Sequence, residues 1–344
     1  MDAPSCTTPP RATHRAASPA PFHILALGLV AAGLFAGAAV AQDDAPQPEP
    51  ARLARLAPQA LALDAAAVDG RLIAVGERGH VLVSEDDGAS WSQSNVPTRS
   101  MLTAVHFHDR NLGWAVGHDS VILRTNDGGT TWEQQYWAPE DEAPFFDVWF
   151  SDADTGLAIG AYGSFFETFD GGETWSSRWI SDDDWHLHKV ARAADGTMYI
   201  AAEAGSVYRS DDGGESWITL PSPYGGSFFG ILPVNDAVLL FGLRGHLFRS
   251  EDKGETWQEI DTGTVAMLTD GIVMSDGTVV VVGLAGKVLR STDGGRSFDV
   301  FQQANRRGIS AIVEYQPGSV FLVGEFGVRT DPLAELTGGE GVTP

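Results

Sequence analysis

The chain has 344 residues, with 46 acidic against 22 basic side chains, a formal charge of −24, and one cysteine. Such a charge disfavours a nucleic-acid backbone as partner. An apolar fraction of 43% is that of a folded globular protein and excludes general disorder.

The first stretch differs from the rest. Arg11, His14 and Arg15 precede an apolar run from Ile24 to Val40, which ends in Ala39-Val40-Ala41 before Gln42-Asp43-Asp44. That layout predicts a secretory signal peptide over 1–41, cut after Ala41. A retained membrane anchor is the competing reading, because Phe22 to Ala41 approaches the roughly 20 residues needed to span a bilayer. Cys6 lies ahead of the apolar run, so the processed chain would hold no cysteine, hence no disulfide and no thiolate nucleophile. Residues 42–50 read as an acidic, proline-rich leader with too little apolar content to pack.

From residue 75 the chain repeats. A glycine-bearing marker appears seven times, as VGERG (75–79), VGHDS (116–120), IGAYG (159–163), AAEAG (201–205), FGLRG (241–245), VGLAG (282–286) and VGEFG (323–327). An aspartate motif follows six of them: Ser84–Trp91, Thr125–Trp132, Thr168–Trp175, Ser210–Trp217, Ser250–Trp257 and Ser291–Phe298. Short β-branched and aromatic runs between Asp-Gly and Gly-rich turns are meander signals. Four antiparallel strands in roughly 42 residues is the size of one propeller blade. The expected fold is therefore all-β, a seven-bladed propeller over 51–331. The last blade stops before its fourth strand, and an open edge would leave backbone groups unpaired. The reading assigns 51–59, with Leu53–Ala57 as the strand, to close that blade, and leaves 332–344 as a loose tail.

Within the motif, Asp86, Asp127, Asp170, Asp212, Asp252 and Asp293 occupy a turn where a short carboxylate can accept from backbone N–H groups and neighbouring hydroxyls. Six copies spread around a ring cannot converge on one reaction, and one carboxylate per turn is too few for calcium. Their expected role is structural, with the aromatic that follows buried between blades.

The repeat resembles the Asp-box, or BNR, motif of sialidase-like propellers and the sortilin family. Over about residues 60–330 the chain resembles the photosystem II stability and assembly factor family, whose blades carry GxxG and then S/T-x-D-G-G-x-T-W. That resemblance implies an exported seven-bladed propeller that binds assembling reaction-centre protein through a basic surface. Arg78, Arg99, Arg244, Lys287, Arg306 and Arg307 are the residues here that match such a surface. Relatives also occur in bacteria without photosynthesis.

Function is expected at the end of the ring that holds the glycine turns, or in the central channel. Two loops there combine acids with aromatics, Trp137 to Trp149 and Trp179 to Trp185. Trp137, Asp141, Asp147, Trp149, Trp179, Asp182, Trp185, His186 and Arg244 form the candidate ligand or partner surface, since aromatic platforms beside carboxylates suit peptide or sugar. The pairs His106/His108 and His186/His188, with His80, His118 and His246, offer too few convergent ligands for a metal site. No serine elbow, phosphate loop or HExxH occurs. No catalytic residue and no cofactor are assigned. The expectation is a non-catalytic, exported protein-binding or assembly factor for an envelope or membrane complex, its partner a protein and not a nucleic acid. Two alternatives stand: a glycan hydrolase of the sialidase type using paired carboxylates such as Asp141, Asp147 and Asp182–Asp184, and a carbohydrate-binding module without catalysis.

Overall fold

The computed structural model describes residues 48–338, so the signal segment 1–41 and most of the leader lie outside the described residues. Seven antiparallel sheets follow one another in sequence, over 62–93, 102–136, 145–177, 187–219, 228–259, 268–302 and 309–332. They are the blades of a seven-bladed propeller, numbered 1 to 7 here. Blades 1 to 6 have four strands each and blade 7 has three. Inner strands of neighbouring blades touch all the way round, including Ala62–Val68 of blade 1 against Ile309–Gln316 of blade 7.

The glycine marker has a steric cause. In all seven blades the N–H of the residue after the marker's second position donates to the carbonyl preceding the same blade's inner strand, as in Glu77 to Leu61, His118 to Met101 and Glu325 to Gly308 (2.9–3.1 Å). This contact brings backbone onto backbone. A Cβ at Gly76 would lie 2.2 Å from the Leu61 oxygen, and one at Gly160 2.2 Å from that of Pro144. Glycine meets that approach in six blades without displacement, and in blade 4 Ala202 takes the position while Glu203 N–H still donates to the His186 carbonyl at 2.9 Å.

Seven apolar clusters hold the ring, one between each pair of neighbouring blades. The motif aromatic of each blade packs back on the blade before it. Trp132 joins Ile73 and Val83 of blade 1, Trp217 meets Phe165 of blade 3 edge-on, and Trp91 stacks on Phe321 of blade 7 at 5.2 Å.

Two expectations about closure are corrected. Residues 51–59 form no strand. Ala51 N–H donates to the Val96 carbonyl, Ala54 N–H to Gln93 Oε1, and Gln93 Nε2 to the Arg52 carbonyl, so this segment lies along the outer part of blade 1. It then turns into a 3-10 helix at Ala57–Gln59, where Pro58 lacks the N–H a ladder requires. The Pro58 carbonyl is packed on blade 7, 2.0 Å from where a Cβ on Gly327 would sit. The ring is instead joined by side chains: Ala62, Leu72 and Leu82 of blade 1 share a cluster with Phe321 and Val323 of blade 7. Thr330 Oγ1 adds a hydrogen bond to the Asp87 carbonyl.

The tail is likewise not loose at its start. The last strand runs to Pro332 and a helix follows at Leu333–Thr337. Leu333 and Leu336 are buried in the cluster between blades 6 and 7. They fill the position that the motif aromatic would occupy in blade 7, which has no aspartate motif.

Candidate functional site

The aspartate motifs are turn fasteners. In blade 3, Asp170 accepts from Thr168 Oγ1 (2.8 Å), Thr174 N–H (2.9 Å) and Thr174 Oγ1 (2.6 Å). These donors, the Thr174 hydroxyl first, bring its carboxyl down to about 2. Asp86, Asp127, Asp212, Asp252 and Asp293 make the same set of bonds with their own Ser or Thr neighbours. Each carboxylate is thus consumed locally.

A different set of charges lines the channel. Each inner strand carries a bulge near its start. The residue just after it recurs at one height in every blade: Asp64, Ala104, Asp147, Lys189, Gly230, Asp270 and Ala311. Three carboxylates and one ammonium therefore form a belt inside the ring. Each carboxylate accepts from the N–H of the next inner strand: Asp64 from Val105, Asp147 from Val190, and Asp270 from Ile312, all at 2.9 Å. These bonds staple blade 1 to 2, 3 to 4 and 6 to 7.

The electrostatics of the belt are uneven. Lys189 Nζ lies 3.1 Å from Asp147 Oδ1, and their side chains are 35% and 4% exposed. Burial works against the ammonium, but Asp147, Asp64 and Asp270 together outweigh it and hold Lys189 above the ordinary lysine range. Burial pushes the Asp64 carboxyl up to about 7, against the pull of Lys189, and Asp270 is raised for the same reason. Desolvation disfavours a carboxylate unless a cation or enough donors compensate it.

The channel widens on both sides of the belt. Toward the glycine-turn end a cavity of about 300 Å3 is lined by Phe146, His188, Phe229, Thr103, Thr269 and Ser310, with Asp64, Lys189 and Asp270 at its base. Toward the aspartate-turn end a second space of about 230 Å3 is lined by His106, Trp149 and Val190. His106 is brought down to about 4 by burial, then by Lys189 and His108, so it is neutral at ordinary pH. His188 is also lowered by burial and bonds the Phe228 carbonyl through Nδ1 (2.8 Å). Among the described residues no group of three or more His, Cys, Asp or Glu side chains is placed to hold a metal ion.

From the upper cavity a line of rings runs outward over blades 3 and 4. Phe229 meets His188 at 4.7 Å, His188 meets Phe146 at 5.7 Å, Phe146 meets His186 at 5.8 Å, and His186 meets Tyr162 edge-on at 5.0 Å. Tyr162 N–H donates to His186 Nδ1 (3.0 Å) and Gly163 N–H to the Trp185 carbonyl (3.1 Å). Trp179 lies against Gly163. Tyr162 is 55% and Trp179 66% exposed. Tyr162 stands at the tip of its turn with φ of +54°, a left-handed conformation uncommon for a bulky side chain.

The sequence-derived surface is thus partly gathered and partly dispersed. Trp179, Trp185 and His186 come together on this crescent, Asp182 is on the exposed loop between them, and Asp147 lies in the channel. Trp137 and Trp149 are half-buried against the clusters of blades 1/2 and 3/4, Asp141 sits on an exposed loop of its own, and Arg244 tops a turn of blade 5 beside His246 and Val265. Sequence reasoning missed Asp64, Lys189 and Asp270. Their signal is a charged residue inside an apolar strand at one phase of the repeat.

Fold and repeat define an Asp-box propeller whose glycine-turn end carries the aromatic crescent and the mouth of the channel. The family model described as photosynthesis system II assembly factor YCF48 matches residues 83–146 and 137–323, and the chain belongs to that family. The photosystem II assembly lipoprotein Ycf48 of Prochlorococcus marinus is 38% identical over 137 residues, covering 39% of this chain and 40% of that one. The chloroplastic photosystem II stability/assembly factor HCF136 of Cyanidioschyzon merolae is 48% identical over 48 residues, 13% of this chain and 11% of that one. The matched stretches therefore span less than half the length of these relatives. A solved structure described as YCF48 bound to D1 peptide superposes with a TM-score of 0.65 at 19% identity, over 83% of this chain and 95% of that one.

Proposed function

We propose that this chain is a non-catalytic, exported assembly factor that binds a protein segment of a membrane complex on its glycine-turn face. The observation that carries this reading is the exposed crescent of Trp179, Tyr162 and His186, which leads without interruption to the mouth of the channel. Aromatic anchors beside polar groups are the usual energetic centre of a protein interface. Family membership supports the same reading, as does the D1 peptide held by a structurally similar relative. Glycan hydrolysis fits the geometry less well. Asp147 is committed to Lys189 and the Val190 N–H, while Asp141 and Asp182 are on separate exposed loops.

The test is a paired substitution, Trp179→Ala with Tyr162→Ala, in the full chain. Both side chains are exposed, so the fold should persist, as checked by an unchanged circular dichroism spectrum and melting curve. Affinity for assembling membrane-complex protein, measured by quantitative co-purification from native membranes, should fall by about tenfold or more. Unchanged recovery would refute the face assignment.

A further inference from the structure

We infer that the upper channel cavity receives the positively charged side chain, lysine or arginine, of a protein segment lying across the aromatic crescent. The inference rests on the protein-binding reading above and names the chemistry of its anchor. Two independent features meet in this cavity. Its walls include Phe146, His188 and Phe229, whose rings are in mutual contact at 4.7–5.7 Å. Aromatic rings attract a cation most when both are shielded from water. Its base carries Asp64 and Asp270, which among the described residues have no cationic group within ion-pair distance. Lys189 is engaged by Asp147, so Asp64 and Asp270 are the two belt carboxyls left without a close cation.

The belt already accommodates an ammonium at this height, with Lys189 Nζ 3.1 Å from Asp147 Oδ1. Asp64 and Asp270 lack such a partner, and burial raises both carboxyls. An incoming cation would relieve that cost, whereas an incoming carboxylate would increase it. The approach carries the same sign: Asp182, Asp183 and Asp184 form an exposed acidic run between Trp179 and Trp185. A basic segment is therefore favoured over an acidic one at the floor and along the blade 3/4 side of the rim, away from the Arg78 and Arg244 turn tips of blades 1 and 5.

Asparagine tests this cleanly, because its side-chain oxygen can still accept from Val105 N–H and Ile312 N–H while the charge is gone. A displayed library of random short peptides is selected against the immobilised full chain. Enriched peptides should carry a lysine or arginine beside an aromatic or aliphatic residue. Replacing that residue by norleucine should weaken binding by about tenfold or more, and the Asp64→Asn/Asp270→Asn variant should lose a similar factor. Peptides that bind the asparagine variant as tightly as the native chain would overturn the inference, as would selection of acidic or uncharged anchors. If such peptides still depend on Trp179 and Tyr162, the face reading survives and the cation pocket does not. If no enriched peptide depends on either surface, both fail.

Discussion

Aspartate occurs here in two settings with opposite consequences. In the motif turns it is surrounded by hydroxyl and N–H donors, which favour the charged form. At Asp64 and Asp270 in the channel, desolvation without a close cation disfavours that form. Asp127 accepts from Thr125 Oγ1 at 2.9 Å, Thr131 N–H at 2.9 Å and Thr131 Oγ1 at 2.7 Å. Asp127→Ala should cost about 1–2 kcal/mol in urea unfolding and leave partner binding unchanged. For Asp64 the sign reverses. The folded chain keeps the proton up to about pH 7, while the unfolded chain releases it near the ordinary aspartate value of 3.8. Between these values the folded state binds more protons, so this group's contribution to stability declines as pH rises. Urea midpoints at pH 5 and pH 8 should therefore lie closer together in Asp64→Asn than in the native chain. An unaltered difference would mean that Asp64 ionises freely. The turn aspartates were legible in sequence because six copies expose their common spacing. The belt was not, because its four charges share a phase in strands whose other residues vary, and only the fold shows that those phases face one channel.

At the level of elements, the strands and the glycine turns follow directly from residue pattern, whereas the two chain ends do not. The closing strand was inferred from a missing fourth strand in blade 7, on the premise that an edge must be covered by backbone pairing. Trp91 stacked on Phe321 and the shared apolar cluster achieve closure without it. Pro58 was the local sign against a strand. The C-terminal helix was also present in outline: Leu333 and Leu336 are three residues apart, the spacing that places both on one helical face. Because both leucines are buried between blades 6 and 7, Leu336→Ala should cost about 2–4 kcal/mol. Chemical denaturation measures this, and a loss below about 0.5 kcal/mol would show the helix to be dispensable.

For the whole molecule, a closed ring separates two ends that carry different residues. At one end six turns repeat the same aspartate geometry and differ little. At the other, glycine holds the turns in register while the residues on and between them diverge: Arg78, Tyr162 and Arg244 occupy matching tips, and the loops of blades 3 and 4 supply Trp179 and Trp185. Repetition secures the fold, and departure from it shapes the face proposed to bind a partner. The two ends also provide an internal control. Phe169 is 71% exposed on an aspartate turn of blade 3, and Trp179 is 66% exposed on the opposite end of the same blade. A photo-crosslinking amino acid at each position, in the full chain within native membranes, compares the ends directly. A specific protein adduct should form from position 179 and not from position 169. Adducts from 169 alone, or equal labelling from both, would contradict the assignment of function to the glycine-turn face.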